Sequence, residues 1–131
     1  GTIGAVARDA EGNIAAGTST GGITNQMHGR VGDSPLPGCG TFANQSTVAV
    51  SCTGIGEAFI KVVAAHQESD RVRFAGENVE DAATATLDEV AAHHGDGGMI
   101  VLPAVGRGVV AYNSEMMNFG YRSAQGGKVQ G

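Results

Sequence analysis

Gly1-Thr2-Ile3-Gly4-Ala5-Val6-Ala7 opens the chain, and the fold is read outward from it. Thr2 to Arg8 is small, apolar and strand-forming. Asp9-Ala10-Glu11-Gly12-Asn13 is a turn cluster, and Ile14 to Thr20 is the return strand, so the chain starts with a hairpin closed by a five-residue loop. No initiator methionine precedes Gly1. Either Gly1 followed a removed Met, or the chain is a piece cut from a longer precursor. The second reading bears on chemistry. A threonine hydroxyl is a weak nucleophile, but an α-amine, which titrates near ~8, can take its proton when threonine begins a chain. With Gly1 attached, the Thr2 nitrogen is an amide and that route is closed. On its own, a threonine at a strand start is an ordinary β-former.

At 131 residues the chain has the size of one domain. Its 22 glycines follow no G-X-Y period and gather between β-rich runs, which excludes collagen and implies tight turns. A hydrophobic content of 41% supplies a core, built from small aliphatic residues because aromatics are 5% and Trp is absent. The net charge of −5 argues against a nucleic-acid partner. No apolar run approaches the ~20 residues of a membrane span. No signal peptide is visible, and the expected compartment is cytoplasmic. Cys39 and Cys52 form neither a CxxC pair nor a disulfide framework and read as two small buried thiols.

Past the hairpin, Thr18-Ser19-Thr20-Gly21-Gly22 is rich in hydroxyls, and a loop without periodicity runs from about Ile23 to Gly40. It contains Gly29-Arg30-Val31-Gly32-Asp33-Ser34-Pro35; a loop this long is usually functional or disordered, and this mixture favours function. Thr41 to Asn44 and Thr47 to Thr53 read as strands. The second runs through Gly54-Ile55-Gly56-Glu57 into a helix whose apolar face is Ile55, Phe59, Val62, Val63 and His66. That junction reads as an ordinary strand-to-helix turn before it reads as an anion site, and no phosphate-loop ending is present.

Gln67 to Glu77 is polar and reads as a connection. Asn78 is a helix N-cap with Glu80 and Asp81 in the first turn, and Val79, Ala83, Leu87, Val90 and His94 mark a second amphipathic helix over about Val79 to His94. His93 and His94 are adjacent and point ~100° apart on a helix, which favours a solvated helix end over a metal site. Met99 to Leu102 and Gly108 to Tyr112 read as a hairpin, Phe119 to Ser123 as a short strand, and Gln125 to Gly131 as a loose tail. Four strands, two helices and two or three strands imply an α+β arrangement, helices packed on a largely antiparallel sheet.

Together, Thr2 to Ala7, Asp9 to Asn13, Thr18-Ser19-Thr20-Gly21-Gly22, Gly29-Arg30-Val31-Gly32-Asp33-Ser34-Pro35 and Ser51-Cys52-Thr53-Gly54-Ile55-Gly56-Glu57 resemble the β subunit of plant-type asparaginases, also called isoaspartyl aminopeptidases. These are N-terminal-nucleophile hydrolases. The resemblance covers nearly the whole chain and is densest from Thr2 to Glu57. Glycosylasparaginases share the Gly29–Pro35 motif but differ at Thr18–Gly22, which leaves them as the alternative enzyme class. A non-catalytic degenerate paralogue is the rival class; it would be expected to lose Thr2, Arg30, Asp33 or Thr53, and all four are present.

The resemblance implies a precursor that cuts itself at Gly1-Thr2, with residues 1–131 forming its C-terminal β subunit and Thr2 the nucleophile. It implies that Thr20 supports the Thr2 hydroxyl, with Thr18 a candidate one layer further out. The Thr53 hydroxyl and Gly54 N–H would form the oxyanion hole. Arg30 would bind the substrate α-carboxylate, and Asp33 with the Gly56 carbonyl its α-ammonium. The implied fold is the β half of an αββα sandwich, completed by an α subunit outside this chain and paired into an (αβ)2 assembly. The substrates are small molecules, with no cofactor, no metal, no nucleic acid and no membrane.

The residue chemistry agrees. Acyl transfer needs a nucleophile, a base and donors at the developing oxyanion. An aspartyl substrate carries an ammonium and a carboxylate on one carbon, and an Arg and an Asp three residues apart can hold both, the Arg as a fork. Taken alone, Arg30 and Asp33 would be a surface pair of little worth.

Overall fold

Val48–Gly54 forms the central strand of the protein, buried along most of its length on both faces. The structure, a computed structural model, describes residues 1–130, with the backbone alone for 128–130. Side chains alternate across a strand. Val48, Val50 and Cys52 therefore enter one core with Phe59, Leu87, Val90, Met99 and Val101, while Ser51 turns to the opposite face.

The strands are β1 (Thr2–Arg8), β2 (Ile14–Thr20), β3 (Thr41–Ala43), β4 (Val48–Gly54), β5 (Gly97–Pro103), β6 (Val109–Tyr112), β7 (Phe119–Ser123) and β8 (Gly126–Gln130). The helices α1 (Gly56–Val62), α2 (Ala64–Phe74) and α3 (Val79–Ala92) lie between β4 and β5. Strands β3-β4-β5-β6 make one antiparallel sheet, β1-β2 and β7-β8 two antiparallel hairpins. The helices cover one face of the four-stranded sheet, and the β1-β2 hairpin crosses the other. The expected α+β class holds.

The first hairpin is closed as its sequence predicts. Asp9 Oδ1 accepts from the backbone N–H of Glu11 and Asn13, at 3.0 and 2.8 Å, and Thr2 pairs with Thr20 at the far end. Hydroxyls stitch it to the sheet. Thr18 Oγ1 lies 2.5 Å from Ser51 Oγ and donates to the Gly40 carbonyl at 3.1 Å. The absence of a side chain on Gly4 permits this approach, since a Cβ there would collide with Ser51 Oγ.

Three expectations need correction. The helix after β4 is not continuous to His66: it ends at Val62 and restarts at Ala64, because Val63 adopts φ 50°, ψ 55° and its N–H closes on the Ile60 and Phe59 carbonyls. A β-branched residue rarely takes this left-handed geometry, so the sequence carries no break signal. Gln67 to Glu77 is not mainly a connection but largely α2, which buries Ala64, Ala65, Glu68 and Ser69 instead of an apolar stripe. The tail from Gln125 is not loose: Gly126–Gln130 pairs with β7, and Gly131 lies outside the described residues. The Asn78 cap is as expected, its side chain accepting from Asp81 N–H at 2.8 Å. That helix ends at Ala92, two residues short of the expected end, with His94 at φ 63°. Among the described residues no helix is long and apolar enough to cross a membrane.

Candidate active site

Strand β1 delivers Thr2 to the edge of the hairpin, directly opposite Thr20. Thr2 Oγ1 donates to Thr20 Oγ1 at 3.2 Å, and Thr20 Oγ1 donates in turn to the Gly1 carbonyl oxygen at 3.0 Å. The Gly22 N–H donates to Thr20 Oγ1 at 3.0 Å. The Thr20 hydroxyl thus accepts twice and spends its single proton on the Gly1 carbonyl. Antiparallel register places the two hydroxyls together, and the turn at Gly21-Gly22 fixes the second.

The loop after β2 forms the second part. Asp33 is buried, and its Oδ2 has no hydrogen-bond partner among the described residues. Burial pushes its carboxyl above the usual value, more than the nearby Arg30 guanidinium pulls it down. A buried acceptor without a partner costs about 1–3 kcal/mol, so Asp33 Oδ2 is left open to a hydrogen-bond donor. Arg30 is largely covered and pairs with Glu57 through Nη2 at 2.6 Å, while Nη1 donates to Gln26 at 3.3 Å. Gly56 completes the cluster: a Cβ there would lie 3.0 Å from Asp33 N, and 3.1 Å from both Asp33 Oδ1 and Arg30 Nη2. The structure therefore brings Arg30, Asp33 and Gly56 together and removes the reading of Arg30 and Asp33 as an exposed surface pair.

The third part connects the other two. Thr53 and Gly54 end β4 and pair with Gly98 and Gly97. Gly54 has φ 143°, and a Cβ on it would collide with the Asp96 carbonyl oxygen, so only glycine keeps this backbone in place. Thr53 shares a cavity of about 350 Å³ with Gly1 and Thr2. Gly56 follows three residues later, at most ~11 Å along the chain. Thr53 thus borders the Thr2 cluster and lies three residues before Gly56 of the Arg30–Asp33 cluster.

Thr18, expected one layer beyond Thr20, makes no hydrogen bond to Thr2 or Thr20 among the described residues. Its hydroxyl goes to Ser51 and Gly40, and Gly40 packs so closely on Asp33 that a Cβ would lie 2.6 Å from the Asp33 carbonyl. It braces the site. Glu57 and Gln26 escaped the sequence reading, although both hold Arg30. Glu57 lies within the quoted motif, but its partner is 27 residues away and only the opposite charge hints at it. The Arg30 hydrogen bond holds the Glu57 carboxyl below its usual value. His93 and His94 are exposed at the end of α3, and no group of three metal-binding side chains occurs among the described residues.

A hairpin that pairs two threonine hydroxyls lies in the same protein as a buried carboxylate and an arginine held by Glu57 and Gln26. The family described as asparaginase matches residues 1–130, and the chain belongs to it. It is 48% identical over 118 residues to an isoaspartyl peptidase of Salmonella typhimurium, covering 89% of this chain and 38% of that protein. It is 44% identical over 131 residues to an isoaspartyl peptidase/L-asparaginase of Rattus norvegicus, covering 99% and 38%. A probable isoaspartyl peptidase/L-asparaginase 2 of Arabidopsis thaliana is 43% identical over 128 residues, covering 95% and 38%. The chain spans about two fifths of the length of these relatives.

Proposed function

We infer that this chain is the nucleophile-bearing part of a hydrolase that cleaves the β-amide of L-asparagine and the β-isopeptide bond of β-aspartyl dipeptides, after cutting its own Gly1–Thr2 bond. The observation that carries the reading is the hydrogen-bond chain from Thr2 through Thr20 to the Gly1 carbonyl. Thr20 is placed to accept the Thr2 proton while donating to the carbonyl under attack. Thr2 Oγ1 then adds to the Gly1 carbonyl carbon, the C–N bond breaks as its nitrogen takes the proton, and an ester remains. Water hydrolyses that ester, leaving Gly1 with a carboxylate and Thr2 with a free amine.

In the mature enzyme that amine takes the proton of the Thr2 hydroxyl, and Oγ1 attacks the substrate side-chain carbonyl. The Thr53 hydroxyl, which has no intramolecular partner among the described residues, and the Gly54 N–H donate to the oxyanion. The C–N bond breaks with the proton passing to the leaving nitrogen, and water releases aspartate from the Thr2 ester. Arg30 holds the α-carboxylate, and Asp33 with the Gly56 carbonyl holds the α-ammonium.

The chain forms the β half of an αββα sandwich with an α subunit from the same precursor, and two such pairs form (αβ)2. The outward face of the first hairpin supports this: Ile3 is 74% exposed there, flanked by the exposed Ala5 and Ala7, an apolar sheet face suited to a second sheet.

Activity on matched isomers tests the substrate reading. A β-aspartyl dipeptide presents a free α-carboxylate to Arg30; an α-aspartyl dipeptide has that group in the peptide bond. Arg30 keeps Glu57 with either isomer, so the α isomer forfeits only its own charge-assisted contact to the guanidinium, about 1.5–3 kcal/mol, and the β isomer is favoured about 10- to 150-fold. Equal kcat/KM on the two isomers would remove the clamp from the account.

A further inference from the structure

Gln26 is an exposed residue between Thr20 and Arg30, and the reaction gives it no role of its own. We propose that Gln26 is a positioning residue. Its carboxamide oxygen couples the turn that holds Thr20 to the guanidinium of Arg30, and its lack of charge preserves the affinity of that guanidinium for a substrate carboxylate. The proposal rests on the assignment of Thr20 to the nucleophile and of Arg30 to the α-carboxylate, and it adds what sets their geometry and tunes the clamp.

One oxygen atom serves both sides. Gln26 Oε1 accepts from the Ile23 N–H at 3.2 Å and from Arg30 Nη1 at 3.3 Å. Both partners can only donate, so the carboxamide presents its oxygen to them and not its NH2 group. Gly22 lies against the same oxygen: its φ is 85°, and a Cβ there would collide with Gln26 Oε1. The Gly22 N–H in turn donates to Thr20 Oγ1 at 3.0 Å. The Gln26 N–H donates to the Ile23 carbonyl at 3.2 Å and closes the turn from the other side. Thr20 and Arg30 are therefore joined through Gly22 and Gln26, with a hydrogen bond at each end and a packing contact between.

The charge of the residue matters as much as its reach. Arg30 already pairs with Glu57 through Nη2 at 2.6 Å, and its Nε has no partner among the described residues. Gly32 forms a floor under the guanidinium, where a Cβ would lie 3.0 Å from Nη1. A carboxylate at position 26 would bring a second negative charge to this guanidinium and repel an incoming α-carboxylate. A carboxamide orients Nη1 without that repulsion. One like charge a few ångströms away in water changes affinity about fivefold.

The test compares two variants of the full-length protein with the wild type. Gln26→Met keeps the length of the side chain and removes the acceptor; Gln26→Glu keeps the acceptor and adds a charge. The readouts are the rate of self-cleavage at Gly1–Thr2, followed by intact mass, and the inhibition of asparagine hydrolysis by aspartate and by β-alanine, which is aspartate without its α-carboxylate. Gln26→Met is expected to slow self-cleavage about threefold or more, because the turn that holds Thr20 loses its acceptor. Gln26→Glu restores the acceptor and is expected to self-cleave within about twofold of the wild-type rate. The same Gln26→Glu protein is expected to bind aspartate about fivefold more weakly and β-alanine less than about twofold more weakly; a merely structural role would move both inhibitors alike. Wild-type self-cleavage by Gln26→Met overturns the assignment of Gln26 alone, as does a Gln26→Glu protein whose aspartate and β-alanine constants are unchanged or shift by the same factor. A wild type that neither self-cleaves nor hydrolyses asparagine overturns that assignment together with the reading it rests on.

Discussion

Glu68→Gln is predicted to stabilise the protein at neutral pH and to leave it unchanged in acid. Glu68 is fully buried in α2, and neither carboxyl oxygen has a partner among the described residues. Burial first, and then the charge of Glu77, push its pKa from 4.5 up to about 8, against a weaker opposite pull from Arg71. The folded value lies above the unfolded one. The stabilising effect of the protonated group is therefore complete below pH 4.5 and is lost as pH rises towards about 8. At pH 7 the unfolded chain holds a carboxylate and folding must take up a proton. Two and a half pH units separate 4.5 from 7, and at about 1.4 kcal/mol per unit this costs roughly 3 kcal/mol. Glutamine mimics the protonated acid in shape and needs no proton. Thermal unfolding of both proteins from pH 4.5 to 8 is the assay. The curves should meet at the acid end and separate by on the order of 10 °C at pH 7. A constant gap, or none, across that range would refute the reasoning.

Thr53→Ala is predicted to lower kcat about 100-fold, the usual scale for one lost oxyanion donor; a change confined to KM would place Thr53 in substrate binding instead. Gly56→Ala should raise KM for asparagine about tenfold with a smaller change in kcat, because its methyl group forces Asp33 and Arg30 apart by a few tenths of an ångström. An unchanged KM would remove Gly56 from the clamp. Asp33 must be ionised to hold an ammonium, and its raised pKa puts the acid limb of kcat/KM above the ordinary 3.8. Asp33→Asn should abolish that limb and lower kcat/KM; a profile identical to wild type would show that another group titrates.

What the sequence disclosed follows from the range of each interaction. The first hairpin was readable because its strand residues and its Asp9 turn are local, and Asn78 announced α3 by its position three residues before Asp81. Residue-level chemistry could offer Arg30 and Asp33 only as a pair. The full motif set suggested the roles for Thr2, Thr20 and Thr53, and the burial of Asp33 sets it apart from an exposed loop pair. The break at Val63 was hidden because valine occupies a conformation usually left to glycine. Helix α2 was hidden because Glu68 and Ser69 take buried positions where a pattern search expects apolar residues; Ser69 meets the Thr47 hydroxyl at 2.7 Å from 22 residues away. The Arg30–Glu57 and Thr18–Ser51 contacts join residues 27 and 33 positions apart, separations at which local pattern carries no signal.

The central claim is that the Thr2 hydroxyl cuts the bond before it and then serves as the nucleophile. Intact-mass measurement of the protein expressed from its full-length gene, as wild type and as Thr2→Ala, tests this most directly. The wild type should give two fragments, one ending in Gly1 and one beginning with Thr2, together with asparagine hydrolysis. Thr2→Ala should give a single uncut chain without activity. A Thr2→Ala protein that still separates at this bond would contradict the account.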